Sequence, residues 1–147
     1  MFYIAHVSRE GKHLLAEFPD APGCQTFAES QEELREAAKE ALEGWLEAHL
    51  ISGQSPHRPR RRVVRGRREM AIRVRPGLSA AVQLRWARQD AKLSQKQLAD
   101  RAGVSQQQIA KLEDPDENPT LATLEKVFDA LGVQVDLEAV PKRKAVA

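Results

Sequence analysis

Residues 93–113 read LSQKQLADRAGVSQQQIAKLE. Ser94 is followed three residues later by Gln97, and Ser105 is followed at the same spacing by Gln108. In each pair the serine hydroxyl can take an unpaired N–H at the start of a helix, while the glutamine amide returns a bond to the serine's own N–H. Between the two starts lies Gly103, where a tight turn needs a residue tolerant of positive φ. The spacing predicts two short helices joined by that turn. Leu98, Ala102, Val104, Ile109 and Leu112 supply the apolar contacts between them. Ala99 is small where the second helix crosses close to the first.

Such a pair is a helix-turn-helix. With Ile109 and Leu112 turned inward, Ser105, Gln106, Gln107, Ala110 and Lys111 are left on the outward side of the second helix. A glutamine amide can pair bidentately with adenine N6 and N7, a contact worth about 1–3 kcal/mol of discrimination. The stretch resembles the Cro and phage-repressor family, of XRE type, and SQQQIAKLE is similar to the recognition helix of glutamine-reading phage repressors. The resemblance runs on through NPTLATLEKVFDALGV, a further helix with Thr120 as its cap and Gly132 as its stop. It implies that Gln106 and Gln107 read bases, with Ser105 beside them, while Gln95 and Lys111 touch phosphate. Gln108, as a capping partner, is structural.

Outward from this core, LSAAVQLRWARQDAK follows Pro76 and Gly77 and has the spacing of an amphipathic helix leading into the unit. Downstream, VQVDLEAV alternates in strand fashion, with Val133, Val135 and Leu137 on one side. A single terminal strand is unstable alone. The expectation is that it pairs with its copy in a second subunit, giving a homodimer or a tetramer. The alternative is that it packs on its own domain. The tail, residues 141–147, is expected to be disordered.

The first half has a different pattern. FYIAHVS and HLLAEF are short strand-forming runs joined by REGK, where Gly11 suits a hairpin, and QTFA makes a third strand. Ser30 and Glu33 form an S-x-x-E capping box that opens a helix. Leu34, Ala37, Ala38, Ala41, Leu42, Trp45 and Leu46 make one stripe of period 3.6 along it. EMAIRVRP alternates through Met70, Ile72 and Val74 until Pro76 stops it, and reads as a fourth strand returning to the sheet. The fold class is therefore α+β: a small β-β-β-α-β layer over residues 1–76, including a basic linker over about 52–68, and an all-α helix-turn-helix domain over 77–140.

FPDAPGCQTFAESQEELREAAKEALEGWLEAHL resembles the HicB antitoxin family, with its Phe-Pro-Asp-x-Pro-Gly turn, short strand and long Ala/Leu/Glu helix. The resemblance implies a degraded RNase H-like front domain that masks a HicA-type toxin, a small mRNA-cleaving protein. Phosphodiester cleavage on an RNase H fold uses inward carboxylates to hold paired metal ions, and FYIAHVS has none. Cys24 would need a positioned base to act as a nucleophile, and its reading is a small residue entering a strand. Asp20 reads as a turn-former. No catalytic residue, metal or cofactor is expected.

Charge is polarised along the chain. Residues 1–54 carry four Lys/Arg against ten Asp/Glu, residues 55–92 carry twelve against two, and residues 93–147 carry seven against nine. An acidic front segment complements a basic RNA-binding partner and speeds encounter, so Asp20, Glu36, Glu40, Glu43 and Glu47 are candidates for the toxin-facing surface. The arginine stretch SGQSPHRPRRRVVRGRRE admits three roles: a solubilising loop, a tether to the acidic segment, or an anchor on DNA phosphates through Arg60, Arg61, Arg62, Arg65 and Arg67. The last is favoured because the back half lacks positive charge of its own. No apolar run approaches the roughly 18 residues of a membrane span. The N-terminus lacks signal-peptide character, and a lone cysteine suits a reducing compartment, so a cytoplasmic location is expected. The functional expectation is an antitoxin that blocks a HicA-type toxin and represses its own operon at a double-stranded DNA operator. The alternative is a transcription regulator whose front domain senses a small ligand.

Overall fold

The computed structural model describes residues 1–60, 66 and 68–142. Strands β1 (Phe2–Glu10) and β2 (His13–Glu17) form a hairpin across Gly11, whose φ of 60° is the left-handed conformation that glycine adopts without penalty. β3 (Gln25–Ala28) pairs with β2, and β4 (Arg68–Arg73) pairs with the free side of β1. The sheet order is β3-β2-β1-β4, antiparallel throughout. A direct strand-helix-strand crossover returns the chain parallel to its starting strand. Here β4 instead runs antiparallel to β1, its neighbour in the sheet.

Period-two alternation places Tyr3, Ala5, Leu14, Ala16, Met70 and Ile72 on one face. Helix α1 (Gln31–Ile51) covers that face with Leu34, Ala38, Leu42, Leu46 and Leu50, all buried. The Ser30 hydroxyl accepts the Glu33 N–H at 3.2 Å. The Glu33 carboxylate remains exposed, so of the expected capping box the structure forms the serine half.

The Pro/Gly turn before β3 is a bracket. Phe18, Ala21 and Cys24 are buried in it, and backbone bonds join Phe18 to Cys24 (3.2 Å) and Cys24 to Ala21 (2.9 Å). The Pro22 carbonyl accepts the Trp45 indole N–H at 3.1 Å, and the Asp20 carboxylate accepts the Arg60 N–H at 2.7 Å. Asp20 thus holds the outgoing chain as well as turning its own.

Helix α2 (Pro76–Asp90) starts on proline, whose missing N–H is harmless in a first turn. Its Leu78, Ala81, Val82 and Trp86 belong to the core under the sheet, whereas Leu84 belongs to a second core. That second core is completed by α3 (Gln95–Ala102), α4 (Gln106–Leu112) and α5 (Leu121–Ala130) through Leu98, Ala99, Ala102, Ile109, Leu112, Leu124, Val127 and Phe128. One helix therefore serves both halves.

Two segments outside the regular elements show where the chain goes. Residues 54–60 are not a free linker. Pro56 is buried and accepts the Trp86 indole N–H at 2.9 Å, the His57 carbonyl accepts the Tyr3 hydroxyl at 2.6 Å, and the Arg58 guanidinium lies 2.7 Å from Asp90 and 5.3 Å from the Trp86 ring centre. The terminal alternation over Val133–Leu137 does not form a strand within the chain. Among the described residues no strand lies beside it to take its N–H and C=O groups. Val135 packs against the second core, and Val133 and Leu137 stay 41% and 72% exposed.

Candidate nucleic-acid interface

Both predicted capping boxes close. The Ser94 hydroxyl accepts the Gln97 N–H at 3.1 Å and the Gln97 side-chain oxygen accepts the Ser94 N–H at 2.8 Å. The Ser105 hydroxyl accepts the Gln108 N–H at 3.1 Å and the Gln108 oxygen accepts the Ser105 N–H at 3.0 Å. Gly103 ends α3 in the left-handed conformation, φ 67° and ψ 37°. Its N–H and that of Val104 both go back to the Ala99 carbonyl. Two closed boxes and one glycine thus fix the angle between α3 and α4.

That angle buries Ile109 and Leu112 against Leu98 and Ala102 and leaves Ser105, Gln106, Gln107, Ala110 and Lys111 exposed on one side of α4. The amide groups of Gln106 and Gln107 stand at the first turn of the helix, the end that meets base edges when such a helix enters a major groove. Gln95, half-buried at the start of α3, is held differently. Its amide donates to Glu113 at 3.4 Å.

Glu113 is the residue that sequence reasoning missed. It caps α4, is 2% exposed, and gathers cations from α2. Arg88 donates to it through Nε at 2.5 Å and Nη2 at 3.0 Å, and Arg85 through Nε at 3.1 Å. Burial alone pushes the Glu113 carboxyl up. The hydrogen bonds and charge of Arg88, then of Arg85, outweigh it and leave the pKa below its ordinary value. Arg85 continues from Glu113 to the carbonyls of Leu50 at 3.1 Å and Gln54 at 3.0 Å, at the end of α1. One signal was present in the sequence: an arginine at position 85 in register with the apolar Ala81 and Leu84 needs a buried partner.

The front candidates are distributed unevenly. Glu36 and Glu40 are exposed on α1. Glu43 accepts the Arg75 backbone N–H at 2.7 Å, and Glu47 accepts the Arg75 guanidinium at 2.8 Å, so both are engaged inside the chain. Arg60 is exposed, while Arg61, Arg62, Arg65 and Arg67 lie outside the described residues. Cys24 is buried, and burial pushes its thiol up to about 11. Among the described residues no three His, Cys, Asp or Glu side chains are grouped to hold a metal ion, and no helix is long and apolar enough to cross a membrane. Two hollows of about 470 Å³ open on the surface, one lined by His6, Glu17 and Arg68, the other by Asp20, His57, Arg58 and Arg60.

Comparison with known proteins agrees with the helical half. Residues 84–137 match the family model described as Helix-turn-helix. An immunity repressor protein of Bacillus phage phi105 is 48% identical over 48 residues, which is 33% of this chain and 33% of that protein. The chain therefore spans about a third of the length of that curated relative. Among solved structures, a chain of a HicA3 and HicB3 toxin-antitoxin complex is 20% identical and superposes with a TM-score of 0.46, covering 52% of this chain and 100% of that one. Residues 84–137 thus carry a helix-turn-helix, and they follow a four-stranded antiparallel sheet backed by one helix.

Proposed function

We propose that the chain is an antitoxin and autorepressor: α4 reads an operator on double-stranded DNA, and the front domain covers a small basic RNA-cleaving toxin of HicA type. The observation that carries the DNA half is the pair of exposed amides, Gln106 and Gln107, on the first turn of a helix held by two closed capping boxes. Gln95 and Lys111 flank that tip as phosphate contacts, with Ser105 at the helix start. The toxin half rests on the Phe-Pro-Asp-x-Pro-Gly signature and on the acidic charge of residues 1–54. It requires no catalysis by this chain, only occlusion.

The DNA half is tested by selecting duplexes from a random-sequence pool with the full chain. Gln106→Ala or Gln107→Ala should then cost about 1–3 kcal/mol on the selected duplex and relax preference at one adenine-bearing position. Uniform weakening across all duplexes would reassign these glutamines to the backbone. For the toxin half, a basic protein encoded by a neighbouring reading frame should co-purify. Charge reversal at Glu36 and Glu40 should slow its association, most at low salt. Glu43 and Glu47 are left out of that variant because they hold Arg75 within the chain. Association kinetics untouched by the reversal would take this face out of the interface. A homodimer is expected, pairing two copies of 133–140 so that two reading helices meet half-sites one helical turn apart. Truncation after Gly132 should give a monomer by mass measurement, and an intact dimer would exclude that pairing.

The ligand-sensing alternative calls for a pocket that encloses a small molecule. The hollow beside His6, Glu17 and Arg68 and the one beside Asp20, His57 and Arg58 are both open to solvent and enclose no such volume.

A further inference from the structure

The last turns of α1 are tied to the far end of the reading helix at two points, and both ties run through arginines at or within α2. The first is Arg85, whose guanidinium joins the Leu50 and Gln54 carbonyls to the Glu113 carboxylate. The second is Arg75, the residue that caps α2, whose Nη2 donates to Glu47 at 2.8 Å and to the Pro115 carbonyl at 2.9 Å, while its backbone N–H donates to Glu43. On the α1 side the anchors fall at 43, 47, 50 and 54, which is one face of the helix and its exit turn. On the DNA side they fall at Glu113 and Pro115, directly after α4. Glu113 also holds Gln95 at the start of α3.

We propose that these two arginines form a latch coupling the front domain to the DNA-reading helices, with Arg75 and Arg85 acting as positioning residues for α4. A 21-residue helix is a rod of about 30 Å. A partner that tilts α1 from its exposed Glu36 and Glu40 end therefore displaces the carbonyls and carboxylates at its other end. The displaced end pulls on the residues that cap α4. The ties are short, charge-assisted and buried or half-buried, so they resist stretching and break discretely. Linkage makes the effect reciprocal: whatever docks on α1 alters operator affinity by some factor, and the operator alters the docking affinity by that same factor. The functional consequence rests on the DNA-reading assignment proposed above, whereas the latch itself does not.

The test uses the full chain. Leu42, fully buried in α1, is changed to Ala, and amide hydrogen exchange is followed through α1 and α4 in three backgrounds: wild type, Arg75→Ala and Arg85→Met. In the wild-type background L42A should speed exchange in α1 and α4 together, by about tenfold or more. In the two latch backgrounds α4 should no longer follow α1. Indifference of α4 to L42A in the wild-type background overturns the proposal. So does an α4 that still follows α1 in both variants, which assigns the coupling to the apolar contacts of α2. If R85M does not fold, R75A, at a half-buried position, decides alone. For the functional consequence, R75A should weaken binding to the duplex enriched by the wild-type chain about five- to tenfold. The salt slope should stay unchanged, because the Arg75 guanidinium is already taken by Glu47 and the Pro115 carbonyl within the chain. Affinity held within roughly twofold, or a flattened slope, refutes the role in positioning. A pool that yields no enriched duplex refutes the DNA assignment and leaves the exchange result to judge the latch.

Discussion

Replacing Glu113 by alanine removes a carboxylate on which four hydrogen bonds converge, two from Arg88 and one each from Arg85 and Gln95. Breaking a buried ion pair from one side costs about 3–5 kcal/mol, because the remaining charge stays buried without its partner. Two circumstances place this case at the low end. Arg85 keeps the Leu50 and Gln54 carbonyls, and Arg88 keeps the Leu93 carbonyl at 2.8 Å. The expected loss for E113A is therefore about 3 kcal/mol. Glu113→Gln, which retains shape and one acceptor but no charge, should lose about 2 kcal/mol, near the value of a charged hydrogen bond. Urea unfolding followed by far-UV circular dichroism measures both as shifts in midpoint at constant slope. The pH dependence adds a second check. The folded pKa of Glu113 lies below its ordinary value of 4.5, so its contribution is complete above that value. It fades as pH falls through the folded pKa. The gap between wild type and E113Q should accordingly be flat near neutrality and shrink in acid. A loss under about 1 kcal/mol for E113A, the scale of a surface pair, or a gap that widens as pH falls, would refute the reading of Glu113 as a stabilising hub.

Three further outcomes follow from the geometry. Gly103→Ala meets no atom within 4 Å of the added carbon, so its cost is purely that of the left-handed backbone, about 1 kcal/mol; a thermal midpoint equal to wild type would deny that the turn needs glycine. Cys24, with its thiol pushed up to about 11 and only 6% exposed, should resist thiol reagents near pH 8 until the chain is unfolded; rapid labelling of native protein would contradict that burial. Neutralising Arg60, Arg61, Arg62, Arg65 and Arg67 together should flatten the salt dependence of DNA binding by about 0.9 for each phosphate no longer neutralised. An unaltered slope removes the stretch from the DNA interface.

Local rules carried much of the architecture. Three helix starts in the back half were readable because a cap is a contact between neighbours in sequence. Ser94, Ser105 and Thr120 all accept the N–H three residues on. The fourth strand was readable because Met70 and Ile72 repeat the period of Tyr3 and Ala5 and land opposite them in the sheet. Long-range charge pairing was not readable in this way. Arg75 meets Glu47 across 28 residues, and Arg85 meets Glu113 across the same interval. No periodicity connects those positions. Glu43 and Glu47 carry the same sequence pattern as the exposed Glu36 and Glu40, yet they lie where α1 meets the start of α2 and hold Arg75. The terminal segment poses the opposite case. Its alternation is a local signal, but a strand exists only where something pairs with it.

These pairings change what the charge layout means. A segment with twelve basic residues against two acidic ones suggests a strong free positive field. Yet Arg58 is tied to Asp90, Arg75 to Glu43 and Glu47, and Arg85 and Arg88 to Glu113. Four of the cations therefore work inside the molecule, and two of them, Arg75 and Arg85, fasten the acidic front helix to the acidic end of α4. Segregating charge along the chain lets it fold upon itself at defined points: the basic middle lies between two acidic flanks and draws both onto α2. Arg60, by contrast, is exposed and open to an external polyanion. The loop just past α4, with Asp114, Asp116 and Glu117, repels phosphate. On the proposed reading, affinity for DNA must then come from the tip of α4 and from the arginine stretch rather than from the helix-turn-helix as a whole.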